Sequence, residues 1–372
     1  MSWREAFATH LGPGVFAGIT FGDWLRVLRQ NRFAVEAPYW GRAALITLGS
    51  IPNTALRWWE NALYGRRIRE TKIDPPLFIL GVWRSGTTHL HNLFAQDDRF
   101  AYLNYYQALY PHSFLCTEQA NAKFTGLVMP KKRAQDNVAM GPREPQEDEL
   151  ALCAVTGRSF LLSQAWPRNA DAYDRFLTLR SASSEELAAW KSAQTWFVRK
   201  LAFHYGRPLV LKSPAHTSRI RLLLELFPGA KFVHIHRHPY TVLKSARHTV
   251  LKTSPWLALQ RTDYSDLDDR IIGQYQEVYE AFFEERDLIP QGHFHELSFE
   301  ELERDPIDRL RDVYEALDLP SFSHVEPSLR RYLSTIADYK KNTFSELSPA
   351  FQTKAAKACR RCFEEWGYSA ET

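Results

Sequence analysis

Residues 77–94, LFILGVWRSGTTHLHNLF, decide the fold of this chain. The stretch begins with a short apolar run at residues 77–80 that ends at Gly81, a pattern typical of a strand buried in a parallel sheet. Pro75 and Pro76 precede the run and stop any helix before it. A glycine-containing turn follows the run, and a helical pattern begins after the turn. The stretch therefore predicts a strand, a loop and a helix in immediate succession.

Three further apolar runs follow the same plan along the chain. They are PLVLK at residues 208–212, KFVHIHR at 231–237 and HFHELSF at 293–299. A helical pattern follows each run, and Pro306 opens the last of these helices. Strands that alternate with helices indicate a parallel sheet with right-handed crossovers. We therefore predict an α/β, P-loop-like, three-layer fold with a central, mostly parallel sheet of about five strands and helices on both faces.

The loop GVWRSGTT, residues 81–88, has the spacing of a phosphate-binding loop with one change. The pattern G-x-x-x-x-G-K-[ST] is met at both glycines and at Thr88, but Thr87 stands where the lysine belongs. Backbone N–H groups of such a loop, together with the N-terminus of the helix after it, favour an anion. Arg84 supplies a cation within the loop. The segment thus predicts a phosphate site.

Three classes of protein are compatible with such a loop. A nucleotide kinase or ATPase with a degenerate P-loop needs the loop lysine and a strand-end aspartate that holds Mg²⁺. Here the apolar run at residues 231–237 ends in His236 and Arg237 instead. A non-catalytic nucleotide-binding module is the second alternative. The third class binds a donor that needs no metal, such as a 5′-phosphosulfate, and we expect no metal requirement. His234, His236 and His238 alternate as zinc ligands could, but their position makes them ordinary neighbours of a phosphate site.

A second anion site is predicted at the end of the apolar run at residues 231–237. Arg237 ends the run, and Ser245 lies eight residues later on the helix that Pro239 opens. Both side chains can point over the carboxyl edge of the sheet, where the helix N-terminus adds donors. An arginine fork and a hydroxyl can hold a phosphate monoester. Two phosphate sites at the ends of two strands indicate a nucleotide with two separate phosphates.

The RSGTT loop and three later segments together resemble the family of sulfotransferases that depend on 3′-phosphoadenosine-5′-phosphosulfate (PAPS), in its microbial-type branch. These segments are LKSPAH at residues 211–216, FVHIHRHPYTVLKS at 232–245 and HELSFEELERDP at 295–306. The resemblance implies PAPS as the sulfuryl donor and adenosine 3′,5′-bisphosphate (PAP) as the product. It also implies a sulfotransferase domain over residues 71–372, with the helical residues 1–70 as an N-terminal extension that packs on it.

The same resemblance assigns donor-binding residues by position. It implies that the 5′-phosphosulfate is held by Arg84, Ser85, Gly86, Thr87 and Thr88. It further implies that Arg237 and Ser245 hold the 3′-phosphate. A late basic segment of the family is represented only by YKKN at residues 339–342. There Lys340 or Lys341 either reaches the 3′-phosphate or belongs to a solvated charge pair.

Four residues are candidates for the chemistry itself. Lys212 ends the second apolar run, and the resemblance makes it the residue that steadies the bridging oxygen and the transferred group. A histidine is well suited to accept a hydroxyl proton near neutral pH, and His216 is either that base or a cap of the next helix. Glu144 and Glu147 lie in the acidic segment REPQEDE, residues 143–149. Related microbial sequences carry a similar stretch, so these acids either serve the acceptor site or are solvated and structural.

The acceptor is predicted to be a small, fairly apolar alcohol or phenol, lipid-like or phenolic. Small-molecule pockets are mostly apolar with a few polar groups, and apolar side chains surround the acidic segment: Tyr102, Tyr105, Tyr106, Tyr110, Phe114, Leu150, Leu152, Phe160, Leu161, Leu162 and Trp166. The alternative is that these side chains form plain core. The net charge of +4 is too small for the dense basic face of a nucleic-acid binder, so no nucleic-acid partner is expected.

Localisation is predicted from what the sequence lacks. It contains no run of about 18 apolar residues that could span a membrane. Its start lacks the pattern of a secretory signal, and its four cysteines are too few and scattered for a disulfide scaffold. These features predict a cytoplasmic protein. Residues 43–56 are mostly apolar, and they form either a core helix, a pocket wall or a surface that contacts a lipid membrane. The sequence does not fix the oligomeric state.

Overall fold

The computed structural model describes residues 3–133, 136, 138–337 and 347–370. Its strands are β1 (Leu77–Leu80), β2 (Ala101–Tyr102), β3 (Leu209–Lys212), β4 (Lys231–His236) and β5 (Phe294–Ser298). Its α-helices are α1 (Trp3–His10), α2 (Phe21–Gln30), α3 (Trp40–Glu70), α4 (Thr87–Phe94), α5 (Tyr105–Leu109), α6 (Phe114–Val128), α7 (Asp148–Thr156), α8 (Leu162–Ala165), α9 (Asp171–Asp174), α10 (Ser184–Tyr205), α11 (Ile220–Leu226), α12 (Pro239–Leu257), α13 (Leu267–Glu285), α14 (Phe299–Arg304), α15 (Pro306–Ala316), α16 (Phe322–Thr335), α17 (Pro349–Ala358) and α18 (Arg360–Trp366). Short 3₁₀ turns cover Gly14–Phe16, Ala37–Tyr39, Pro167–Asn169, Pro214–Ser218 and Arg286–Leu288.

The five strands form one parallel sheet in the order β2-β3-β1-β4-β5. All four apolar runs that predicted strands are strands, so the predicted fold class is confirmed. The fifth strand, β2, is only two residues long and was not predicted. Because β1 lies between β3 and β4, the loops that follow these three strands meet at the carboxyl edge of the sheet. This is the edge at which open α/β sheets bind ligands.

Helices cover both faces of the sheet, as predicted. Leu77 and Ile79 of β1 point to one face, where they join a buried cluster with Leu90 and Phe94 of α4. Phe78 points to the other face, where its ring stacks 5.7 Å from that of Phe232. Strands that are apolar on both faces fold only when both faces are covered. The continuous burial of β1 therefore follows from its composition.

The chain forms two compact units. The first comprises residues 1–74, 103–206 and 251–263, and the second comprises residues 75–102, 207–250 and 264–372. The first unit is built from helices, and the second holds the whole sheet. Among the helices of the described residues, none combines the length and the apolar composition that a membrane-spanning segment requires. A boundary between an extension and a domain at residue 70 stays a prediction.

A fully buried ion pair lies inside the first unit. Lys200 of α10 contacts Glu60 of α3 and also donates to the carbonyl of Pro111 at 2.5 Å. Its ammonium lies 4.2 Å from the ring centroid of Phe114. Burial lowers the pKa of Lys200 to about 8, and burial likewise raises the pKa of Glu60, while the mutual attraction opposes both shifts. Desolvation therefore outweighs the attraction within the pair.

Candidate active site

The loop between β1 and α4 has a shape that only glycine allows at two positions. Gly81 has a φ of +140° and Gly86 a φ of +108°. A Cβ at Gly81 would lie 2.5 Å from the carbonyl oxygen of Ile235, and one at Gly86 would lie 2.3 Å from the ring of Phe299. Arg84, between them, also adopts a positive φ of 71°, which is uncommon for a residue with a side chain. The loop is thus tightly folded against its neighbours.

The polar groups of this loop fall into two sets. The Gly81 N–H donates to the hydroxyl of Thr217 at 2.7 Å, and the buried Ser85 hydroxyl donates to a loop carbonyl at 2.8 Å. The first bond joins the loop to the turn after β3, and the second closes the loop on itself. Thr87 and Thr88, in contrast, are the first two residues of α4 and therefore lie at a helix N-terminus. That position offers N–H groups and a favourable dipole to an anion.

The two predicted phosphate sites lie next to each other in the second unit. The Arg84 Nε donates to the buried hydroxyl of Ser245 on α12, at 2.9 Å. Burial lowers the pKa of Arg237, and the positive charge of Arg84 contributes to that shift. The structure therefore brings the loop arginine and both residues of the second anion site together. The spacing of motifs in the sequence predicted this proximity.

Contacts with neighbouring side chains hold Arg237 beside the loop between β1 and α4. Its guanidinium carbon lies 4.2 Å from the ring centroid of Phe299, and its Nε lies 4.0 Å from a carboxylate oxygen of Glu300. The Nε is buried and has no hydrogen-bond partner within the described residues. Stacking on an aromatic ring orients an arginine. A buried guanidinium nitrogen without an acceptor suits an anionic ligand, so this site fits a phosphate group.

Lys212 occupies the predicted place at the carboxyl end of β3. It is buried, and it pairs in register with Ile79 of the adjacent strand β1. Residues paired in this way point to the same face of the sheet, which here is the face covered by α4. The loop that follows β1 thus has Lys212 on one flank and Arg237, after β4, on the other. A buried lysine at this edge can face a developing negative charge.

His216 lies in a different environment from Lys212. It is fully buried in the turn after β3, and its ring meets that of Phe78 edge-on at 5.3 Å. Phe78 points to the face of the sheet opposite to that of Ile79, because neighbouring side chains on a strand alternate. His216 therefore packs on the face of β1 that Lys212 does not share. Its role as a base stays a prediction.

The acidic segment belongs to the first unit, whereas Lys212 belongs to the second. Asp148 and Glu149 are buried and accept hydrogen bonds from a glutamine of α10 and from Ser159. Glu147 is half-buried just before α7, and Glu144 is exposed. Desolvation nonetheless raises the pKa of Glu144. Of the four acids, Glu144 and Glu147 are thus the ones whose carboxylates are not enclosed in the core.

The apolar side chains predicted around the acceptor divide into two groups. Tyr106, Phe114, Leu152, Phe160, Leu162 and Trp166 are buried core residues. Tyr105, Tyr110, Leu150 and Leu161 are partly exposed, as is Tyr102, which belongs to the second unit. The core alternative therefore holds for the first group, and only the second can line a site in the first unit. Lys340 and Lys341 lie outside the described residues, so their predicted contact stays a prediction.

The three alternating histidines have other partners. His234 contacts Glu296 at 2.7 Å, and His236 lies 2.9 Å from the hydroxyl of Tyr368. Burial lowers the pKa of His236 to about 4, so it is neutral at physiological pH. Within the described residues, three metal-type ligands come together only at Asp97, Asp98 and His324, where two of the three are exposed.

Two residues that shape the site were not predicted from the sequence. Thr217 accepts the first N–H of the loop, and Phe299 supports Arg237 while it packs against Gly86. Each had a weak signal in the sequence, since Thr217 directly follows His216 and Phe299 ends a predicted strand. Their roles depend on contacts between distant segments, which a single sequence does not reveal.

The fold and the site define a class: a P-loop-like α/β protein with two adjacent candidate phosphate sites and a lysine at the same sheet edge. The profile of the sulfotransferase family matches residues 75–324. The chain is also 39% identical to the omega-hydroxy-beta-dihydromenaquinone-9 sulfotransferase Stf3 of Mycobacterium bovis. The 343 matched residues cover 92% of this chain and 87% of that protein. The protein of the same name from Mycobacterium tuberculosis gives the same figures. The chain belongs to the sulfotransferase family.

Solved structures agree on the fold. The sulfotransferase STF1 of Mycobacterium tuberculosis superposes with a TM-score of 0.67 at 17% identity, over 91% of this chain and 92% of that one. The sulfotransferase STF9 of Mycobacterium avium gives a TM-score of 0.65 at 18% identity, over 92% and 96%. Family membership makes the chain an enzyme that transfers a sulfuryl group, and PAPS is the donor that the family implies. The predictions of a PAPS-dependent sulfotransferase and of its class of fold are confirmed.

Proposed function

We propose that this enzyme binds PAPS at the loop after β1 and at the adjacent site after β4. The 5′-phosphosulfate would be held by Arg84, Ser85, Gly86, Thr87 and Thr88, with Ser85 acting through the closed shape of the loop. Arg237 and Ser245 would hold the 3′-phosphate. The hydrogen bond between Arg84 and Ser245 carries this proposal, because it brings residues of both sites within 2.9 Å of each other.

PAPS supplies an activated sulfuryl group, which the acceptor oxygen takes as the bond to the phosphate oxygen breaks. Lys212 is placed to offset negative charge on that bridging oxygen and on the transferred group. The acceptor proton needs a base. His216 and the acidic segment are the candidates for this task, and burial raises the pKa of Glu144, which moves its carboxylate toward the basicity of a working base.

We further propose that the acceptor is a hydroxyl on an apolar, lipid-like molecule. The relatives at 39% identity are named for an omega-hydroxylated dihydromenaquinone, which is such a molecule. Within the first unit, the backbone N–H of Tyr105 donates to the carbonyl of Glu144 at 2.9 Å. The partly exposed Tyr105 is therefore joined through its backbone to the candidate base. This combination suits an apolar alcohol.

Arg237→Ala is expected to weaken PAP binding by about 1.5–3 kcal/mol, which corresponds to roughly tenfold to a hundredfold in Kd. The reason is that the substitution removes a charge-assisted hydrogen-bond donor whose Nε has no hydrogen-bond partner within the described residues. Isothermal titration calorimetry with PAP in magnesium-free buffer measures the effect. Arg247→Ala is the matched control, since Arg247 is an exposed arginine on the same helix as Ser245 and pairs with Asp268. An Arg237 variant that binds PAP like the wild type would show that the second phosphate site is misplaced.

The acceptor proposal predicts a clear order of substrates. With PAPS in excess, polyprenyl or long-chain alcohols should be sulfated at least tenfold faster than simple glycans or tyrosine peptides at equal concentration, because an apolar site gains free energy from each buried methylene. Mass spectrometry of the products measures each rate in detergent-containing buffer. Efficient turnover of a glycan or peptide, with none of the alcohols, would refute the proposed acceptor class and leave the donor sites untouched.

A further inference from the structure

Helix α3 carries a long apolar surface that faces outward. The helix has 31 residues, and its exposed apolar positions from Leu45 to Leu63 form one band along one side. We call this band the α3 outer face. It consists of Leu45, Leu48, Ile51, Pro52, Ala55, Trp58, Trp59, Ala62 and Leu63. Trp58 is 70% exposed and Leu48 is 65% exposed, although both are large apolar residues. At 1.5 Å per residue the band is about 28 Å long.

The opposite side of α3 is firmly attached to the first unit. The Asn53 side chain donates to the carbonyls of Ala17 and Ile19 at 2.8 and 3.1 Å. The fully buried Arg42 donates to the carbonyl of Ala258 at 2.7 Å. These contacts fix the rotation of the helix about its axis. The α3 outer face is therefore held outward and is not a loosely packed core face.

Charge along α3 is arranged to suit an anionic surface. Helix α3 holds two acids: Glu60, which is turned inward onto Lys200, and Glu70, its last residue, which pairs with Arg66 at 2.8 Å. The α3 outer face thus carries no carboxylate. One turn beyond Leu63 the same side of the helix continues with the exposed Arg66 and Arg69. Tryptophan next to an apolar band, with arginines at its end, is the composition of helices that lie in a membrane interface.

From this geometry we infer that the α3 outer face docks the enzyme on a lipid bilayer with anionic headgroups. The apolar side chains would enter the boundary between headgroups and acyl chains, while Arg66 and Arg69 would contact lipid phosphates. The inference deepens the proposed function and rests on it in one respect, since an apolar acceptor resides in such a bilayer. The same face of a second copy would bring these arginines no acid except Glu70, which already pairs with Arg66, whereas anionic lipid phosphates pair with them.

Vesicle binding of the full chain tests the inference without any turnover. Sedimentation with vesicles of phosphatidylcholine and phosphatidylglycerol gives a partition coefficient, and pure phosphatidylcholine vesicles give the neutral reference. The variant L48S/W58S should lower the partition coefficient about tenfold or more, because it removes two exposed apolar side chains from the face. The variant R66Q/R69Q should remove most of the preference for the anionic vesicles.

The control variant is Y264S/L288S, which removes two exposed apolar side chains from the second unit and should bind vesicles like the wild type. PAP affinity should be unchanged in all three variants, since none of these residues belongs to the proposed donor sites. Equal binding of L48S/W58S and the wild type, or no vesicle binding by either, overturns the inference. So does a wild-type dimer that L48S/W58S dissociates in sedimentation equilibrium while vesicles are not bound. These outcomes can be interpreted even if the acceptor assay fails, because none of the measurements depends on sulfation.

Discussion

Lys212→Met should lower kcat by a factor of about 10²–10³ while PAP affinity stays within a few-fold of the wild type. The substitution keeps the aliphatic part of a buried side chain and removes only the ammonium at the carboxyl end of β3. A group that acts on charge developing in the transition state affects turnover more than ground-state binding. Initial rates at saturating PAPS and acceptor measure kcat, and calorimetry with PAP measures binding.

The chain offers a matched control for this experiment. Lys231 begins β4 at the amino end of the sheet, where its ammonium donates to the carbonyls of Leu317 and Asp318 at 2.5 and 3.1 Å. Lys231→Met should therefore keep near-wild-type kcat. Turnover by the Lys212 variant within threefold of the wild type would remove Lys212 from the mechanism. A parallel loss of thermal stability in that variant would instead assign it a structural role.

Lys200→Met should destabilise the protein by about 3–5 kcal/mol, because it leaves the Glu60 carboxylate buried without its cation. The lysine side chain is fully enclosed, and burial already holds the pKa of Lys200 at about 8. Urea unfolding at neutral pH, monitored by tryptophan fluorescence, gives the midpoint and the free energy of unfolding. Lys354→Met serves as the comparison, because Lys354 pairs with Asp269 on the surface and should lose less than about 1 kcal/mol.

The double variant Lys200→Met/Glu60→Gln separates charge burial from packing. It removes both charges, and the glutamine keeps an oxygen that can accept the N–H of Cys116, which Glu60 accepts at 3.2 Å. Most of the stability lost in the single variant should return, since a buried pair contributes little net free energy. If the double variant is as unstable as Lys200→Met alone, the loss came from the aliphatic packing of the lysine and not from an uncompensated charge.

The sheet was predictable because each of its long strands has a local signature. The apolar runs before Gly81, Lys212 and Arg237 show burial on both faces, and the following helices start with recognisable signals. Helix α10, for example, is capped by Ser183, with Glu186 completing a capping box. Strand β2 left no such signature because two residues are too few for a pattern.

The candidate site was predictable only where motifs mark positions along the sheet edge. Arg84, Lys212 and Arg237 all follow or end strands, so topology alone brings them to one edge. The orientation of His216 was not predictable, since it depends on the ring of Phe78, 138 positions earlier in the chain. Likewise, nothing local links Glu60 to Lys200, because 140 positions separate them. Contacts of this kind are set by packing between distant segments.

The hydrogen bond from Arg84 to Ser245 makes the two proposed phosphate sites thermodynamically linked. A ligand whose 5′-phosphosulfate binds the Arg84 guanidinium changes the hydrogen bonding of the Ser245 hydroxyl, which is proposed to bind the 3′-phosphate. Binding of a 3′-phosphate at Ser245 changes the hydrogen bonding of Arg84 in the same way. The two arginines also repel each other until an anion neutralises them, as the lowered pKa of Arg237 reflects in part. Occupancy of either site therefore changes the affinity of the other, and the coupling free energy is the same in both directions. With the proposed sites, a nucleotide that carries both phosphates would bind more tightly than the separate contributions of its two phosphates predict. The enzyme would then distinguish PAPS from nucleotides that are phosphorylated only at the 5′ position.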